Sequence, residues 1–158
     1  MEADSYHSHS EDDTREIGKA FAARLKPADV ITLTGDLGAG KTEFVRGVCQ
    51  YFSVEDIVSS PTFTIINQYF GAVPFGDEVA IYHVDLYRIN DSKELDEIGF
   101  DECMADPHAI KFVEWPEKAG TTGLPSARWS ISITFLPQND EARMIEIRRV
   151  EEAEPLPA

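Results

Sequence analysis

Apolar residues recur first at helical spacing, then in short continuous runs, then in strict alternation, and each change of period marks an element. Residues 1–12 carry Ser, His and acids without periodicity, and a mobile tail is expected there. Asp13 and Glu16 have the spacing of a capping box, and Ile17, Ala20, Phe21 and Leu25 follow on one face, which predicts a helix to about Lys26. Val30 to Thr34 is a short apolar run of the kind found at the centre of a sheet covered on both faces. Lys41 to Phe52 returns to the helical period, with Phe44, Val45, Val48 and Phe52 aligned. Thr64 to Phe70 and Val79 to Leu86 read as an antiparallel hairpin. Asp91 and Glu94 offer a second capping pair before Leu95, Ile98 and Phe100, which predicts a short acidic helix. Ala109 to Trp115 is another buried strand, stopped by Pro116, and Lys118 to Ser126 is a loop. The alternation of Trp129, Ile131, Ile133 and Phe135 with polar residues, a turn at Pro137 to Asp140, and Met144 to Val150 give a closing hairpin. The pattern predicts a single α/β domain over residues 13–150, a mixed sheet flanked by helices with several antiparallel strands, followed by a disordered tail over 151–158.

Between the first apolar strand and the second helix lies Gly35-Asp36-Leu37-Gly38-Ala39-Gly40-Lys41-Thr42, the phosphate-loop pattern G-x-x-x-x-G-K-[ST] in its strand, loop, helix setting. Glycines allow the backbone N–H groups to turn inward, and the helix start adds its positive dipole end, so the loop suits β- and γ-phosphates. Lys41 is expected to reach those oxygens, and the Thr42 hydroxyl is expected to be one ligand of a Mg²⁺ bridging them. The fold expectation narrows accordingly to a P-loop NTPase-like sheet.

At 158 residues the chain is long enough to bury one substantial core. A net charge of −15 disfavours extensive contact with nucleic acid or anionic lipid. Cys49 and Cys103 stand in no metal-binding or redox spacing and read as buried thiols. His7 and His9 in the polar start could bind adventitious metal, but two exposed histidines in a tail far more often have no role. With no apolar leader and no run of membrane-spanning length, a cytoplasmic location without membrane contact is expected.

A nucleotide site also needs a carboxylate for the metal or the attacking water, commonly at the end of a strand beside the loop. Asp85 ends one buried run and Glu114 another, and either suits the task. The plainer reading of each is a salt bridge, to Arg88 for Asp85 or Lys111 for Glu114. His83 reads as a hydrogen-bonded strand residue rather than a base. Trp115 fits a core position, a stacking surface or a docking residue. Thr62 and Thr64 follow a proline loop at Pro61 that is either a bend or a γ-phosphate switch.

The ordered blocks Gly35 to Thr42, Ser60-Pro61-Thr62-Phe63, His83-Val84-Asp85-Leu86-Tyr87-Arg88 and Val113-Glu114-Trp115-Pro116 resemble the TsaE (YjeE) family of bacterial P-loop ATPases. The resemblance implies an ATP- and Mg²⁺-dependent ATPase required for threonylcarbamoyladenosine in tRNA, one that regulates the TsaB and TsaD pair; from the net charge of −15, no direct binding of tRNA is expected. It implies that residues 35–43, Glu43 included, line the nucleotide, that Lys41 holds phosphate, and that Thr42 and Glu114 bind magnesium. It further implies that Asp85 is the catalytic or water-positioning acid, that Thr62 and Trp115 change with nucleotide state, and that Thr14 approaches the base. Glu43 departs from the threonine common at that position, and residues 103–108 match no pattern of the family.

Two other readings compete. A small-molecule kinase would use the same loop but needs an arginine-rich lid, and no such segment is present. A nucleotide-gated binding module without appreciable turnover differs from an ATPase only in hydrolysis. A GTPase would require an N-K-x-D element, which the sequence lacks.

Overall fold

The computed structural model describes residues 3–36, 38–61, 64–74, 76–120, 124–125, 128–137 and 139–150. Seven strands form one sheet in the order β1-β7-β6-β2-β5-β4-β3. They are β1 (Ala3–Ser8), β2 (Val30–Thr34), β3 (Ile66–Ala72), β4 (Glu78–Asp85), β5 (Ala109–Glu114), β6 (Arg128–Leu136) and β7 (Asn139–Val150). Strand β2 lies in the middle, parallel to β5 on one side and β6 on the other, and β5 is parallel to β4. The remaining pairs, β1 with β7, β6 with β7 and β3 with β4, are antiparallel. The P-loop strand is therefore central, and antiparallel strands extend the sheet on both sides, as the pattern predicts.

Helices α1 (Glu11–Ala22) and α2 (Lys41–Tyr51) cover one face. Phe21, Phe44, Val45, Val48 and Phe52 pack there against Ile31, Leu33, Ile81, Phe112, Ile131 and Ile145. The other face is closed by α3 (Ser92–Glu97), α4 (Phe100–Ala105) and a 3₁₀ turn at Pro116–Ala119, around Val84, Leu86, Leu95, Phe100 and Val113. Cys49 and Cys103 are free and buried in these two separate cores. Burial pushes their thiols up to about 12 and about 11, which leaves both unreactive as nucleophiles.

Several boundaries differ from expectation. The N-terminal stretch is not a tail over its described residues: Ala3 to Ser8 pairs with β7 from Ala3↔Arg148 to Ser8↔Arg143. An edge strand is held by backbone hydrogen bonds and needs no apolar face, and four of its six residues are exposed. Helix α1 starts two residues before Asp13, because Ser10 is the N-cap and accepts from the Asp13 N–H at 3.0 Å. It stops at Ala22, where the Arg24 and Leu25 N–H groups turn back to Phe21 and Ala22. Strand β3 begins only at Ile66, since Ile65 adopts a positive φ of 70°. The acidic helix after Asp91 is two helices, divided at Gly99 with φ 74°. The expected tail at 151–158 lies outside the described residues.

Candidate active site

Strands β2, β4 and β5 end at one edge. In register, Leu33 pairs with Glu114 and Glu114 with Asp85, so the loop leaves β2 beside both carboxylates. Two glycines shape it by necessity. A Cβ on Gly35 would lie 2.5 Å from the Ile133 carbonyl oxygen, and Gly40 caps α2 with φ 111° and ψ 16°. No side chain caps the start of α2, so its first N–H groups remain available to an anion. Leu37 lies outside the described residues.

Lys41, only 6% exposed, donates to the Gly35 carbonyl at 2.8 Å and pairs with Glu114 Oε1 at 3.2 Å. Its Nζ also sits 5.4 Å from the centre of the Trp115 ring. Glu114 is 4% exposed, and its Oε2 lies 2.5 Å from His83 Nε2. Asp85, equally buried, accepts from the Tyr87 N–H at 2.9 Å. The salt bridge from Lys111 to Glu114 is not formed: Lys111 lies near the opposite end of β5 and donates to the Asp106 carbonyl, and desolvation lowers its pKa.

Burial acts to raise the pKa of Glu114, but the hydrogen bond and charge of His83, and then those of Lys41, outweigh it and hold the carboxyl below its ordinary range. Below pH 4.5 the unfolded chain takes up this proton while the folded chain resists it, so stability falls as pH drops through the lowered folded value. Glu114→Gln is expected to lose stability less steeply than wild type below that pH, measured by circular dichroism in an acid titration. Identical acid slopes would contradict the assignment.

Thr42, Ser60, Asp85 and Glu114 line one cavity of about 230 Å³ with Gly38, Gly40 and Lys41. Two carboxylates and two hydroxyls form a hard oxygen set that would suit Mg²⁺. Among the described residues no group of three or more His, Cys, Asp or Glu is arranged to hold a metal ion. A neighbouring cavity of about 500 Å³ is lined by Ser10, Asp12, Thr14, residues 38–40, Glu141 and Arg143, large enough for a nucleoside. Thr14 is buried against the loop: its Oγ1 lies 2.7 Å from Ser8 Oγ, and its methyl is 3.7 Å from where a Cβ on Gly40 would stand. Asp36 lines a third, smaller recess with Lys41 and Trp115.

Glu43 does not confront the phosphates with bare charge. Arg15 binds it at 2.6 Å and Arg46 pairs with it from the next turn. Arg46 also donates to the Val58 carbonyl at 2.7 Å, and Asn67 and Tyr69 hold Ser59, so the root of the proline loop is anchored to α2 and β3. Thr62 and Phe63 lie outside the described residues. Trp115 takes a left-handed backbone (φ 56°, ψ 52°) and sets its ring against Tyr87 at 5.0 Å. Sequence reasoning missed Arg143, whose Nε donates to the Ala39 carbonyl at 3.0 Å and whose guanidinium lies over Phe135 at 4.1 Å. Arg143 and Ala39 are 104 positions apart, and nothing in the sequence signals that contact.

Residues 8–145, which include every motif above, match the family model of the threonylcarbamoyl adenosine biosynthesis protein TsaE. The chain belongs to the TsaE family. Curated relatives named tRNA threonylcarbamoyladenosine biosynthesis protein TsaE agree. That of Rickettsia bellii is 40% identical over 110 residues, covering 69% of this chain and 72% of the relative. That of Bacillus subtilis is 43% identical over 104 residues, covering 66% of this chain and 61% of its own length. That of Haemophilus influenzae is 38% identical over 135 residues, covering 82% and 79%. The crystal structure of Bacillus subtilis YdiB superposes with a TM-score of 0.71 at 33% identity, covering 94% of this chain and 86% of that one. The resemblance drawn from the motifs and the α/β P-loop architecture are thereby both borne out. Among the described residues no helix is long and apolar enough to cross a membrane.

Proposed function

We propose that this TsaE-family chain is a Mg²⁺-dependent ATPase of the cytoplasm. It serves threonylcarbamoyladenosine modification of tRNA as a nucleotide-gated regulator of the TsaB–TsaD pair. The observation that carries the reading is the buried cluster of Lys41, Glu114 and Asp85 at the mouth of the P-loop, on the edge of the cavity lined by Thr42. In the chain as it stands Lys41 is held by Gly35 and Glu114, which keeps its charge aimed at the loop before phosphate arrives. Thr42 and Glu114 would hold magnesium, which would offset the charge of the phosphate oxygens when bound. Asp85, with one oxygen fixed by the Tyr87 amide, orients a water so that its oxygen bonds to the γ-phosphorus as the bond to the β–γ bridging oxygen breaks. The water's proton passes to Asp85 or to the released phosphate, and ADP and phosphate result.

The deciding measurement is ATP hydrolysis by the chain with Mg²⁺, alone and with TsaB and TsaD. Slow turnover stimulated by the pair is expected. Asp85→Ala and Glu114→Ala are expected to keep some ATP binding and lose hydrolysis by about 100-fold or more, the scale on which a positioned acid–base group acts. Full hydrolysis in both variants would remove their roles, and stimulation by a small hydroxyl compound in place of the pair would make the protein a kinase. With a net charge of −15, partners supply the contact with tRNA. Micromolar binding of tRNA to the isolated chain at low salt would contradict that division of labour.

A further inference from the structure

In β4, Ile81, His83 and Asp85 alternate toward the face that carries α2, and His83 is wholly inaccessible to solvent. Its neighbours in register are Asn67 on β3 and Phe112 on β5. The imidazole makes a single hydrogen bond, Nε2 to Glu114 Oε2 at 2.5 Å, while Nδ1 is buried without a partner among the described residues. A carboxylate only accepts, so Nε2 carries the proton of this bond. A buried nitrogen left unsatisfied is costly, and an apolar side chain would fill the same space without that cost. The bond to Glu114 is what the histidine supplies in return.

We infer that His83 is a positioning residue: it clamps one oxygen of Glu114 so that the other is presented to the cavity shared by Thr42 and Asp85. This inference rests on the metal role proposed for Glu114. Glu114 has two partners, Lys41 on Oε1 and His83 on Oε2. Lys41 has a competing duty toward phosphate. Once its ammonium engages an anion, His83 is the donor that keeps the carboxylate in a fixed rotamer inside a buried site. Partners of this kind behind a metal ligand typically change metal affinity or activity 10- to 100-fold when removed. Sequence placed His83 among packed strand residues, and its distance of 31 positions from Glu114 hid the bond.

The test is a matched pair of substitutions in the full chain. The amide nitrogen of glutamine reaches the place of Nε2, whereas that of asparagine stops near Nδ1. His83→Gln is therefore expected to stay within about threefold of wild type. His83→Asn is expected to lose about 10-fold or more in kcat, with KM for ATP changed less than about threefold. Mn²⁺ titrated into the chain with ATP and followed by electron paramagnetic resonance gives a readout independent of turnover, with about 10-fold weaker Mn²⁺ binding expected for His83→Asn alone. Equal behaviour of the two variants, whether both active or both impaired, overturns the inference, as does a loss in His83→Asn confined to thermal stability with kcat and Mn²⁺ binding unchanged. If wild type itself neither binds Mn²⁺ with ATP nor hydrolyses ATP, the reading of Glu114 falls first and this one with it.

Discussion

Lys41→Ala is expected to weaken ATP binding by at least about 100-fold, equivalent to about 2.7 kcal/mol, in a fluorescence titration with a labelled nucleotide. Lysine contributes charge-assisted hydrogen bonds to phosphate, and each such bond is worth about 1.5–3 kcal/mol. The side chain is also part of the resting structure, paired with the buried Glu114. Removing the cation leaves that carboxylate with His83 alone, so its pKa rises from its lowered position and the free protein loses stability. The two effects separate in the double variant Lys41→Met, Glu114→Gln, which carries no buried unpaired charge. Thermal stability should return toward wild type in it while ATP binding stays lost. Binding within threefold of wild type in Lys41→Ala would mean that this loop does not hold phosphate.

Gly47→Ala is expected to lower stability by about 3 kcal/mol, although it touches no residue of the proposed chemistry. A Cβ at Gly47 would stand 2.0 Å from the carbonyl oxygen of Arg15 and 2.8 Å from its carbon. The contact is with backbone, so no rotamer change relieves it, and α1 must move away from α2. Gly18 mirrors the arrangement, its Cβ position lying 2.3 Å from the Phe44 carbonyl oxygen. Alanine recovers about 1 kcal/mol of helix propensity over glycine, which the clash exceeds. For a domain of this size the net loss corresponds to a drop of roughly 6–12 °C in Tm. Nucleotide affinity should fall with it by about 10-fold (about 1.4 kcal/mol), because α1 carries Thr14 against Gly40 and Arg15 onto Glu43. A Tm within 2 °C of wild type would show that the helices separate freely.

The same crossing explains why some of the site escaped sequence reading. Glycines inside two helical patterns give only a propensity penalty in one dimension, and their use as a close contact exists only once α1 lies across α2. Ser8, Arg15, His83 and Arg143 likewise acquire their roles through partners 6, 28, 31 and 104 positions away. Strand β1 left no periodic trace because a strand held at an edge by backbone bonds has no face to bury. The start of α1 was misplaced because Asp13 can cap a helix as well as Ser10 can, and local chemistry does not choose between them.

Local chemistry was enough for the rest. A continuous apolar run, glycines where the backbone turns, a lysine and threonine opening a helix, and an acid at the end of each of two apolar runs place a P-loop at the end of a buried strand. These features depend on residues close in sequence and on the period of burial, so they can be read in order. Which strands lie side by side depends on chain-wide packing. It was the sheet order, with β2 beside β5 and β5 beside β4, that brought Asp85 and Glu114 into register and closed Lys41 onto one of them. Strand pairing joins segments whose separation along the chain is unconstrained by local geometry, so the fold as a whole had to form before the two acids became one site.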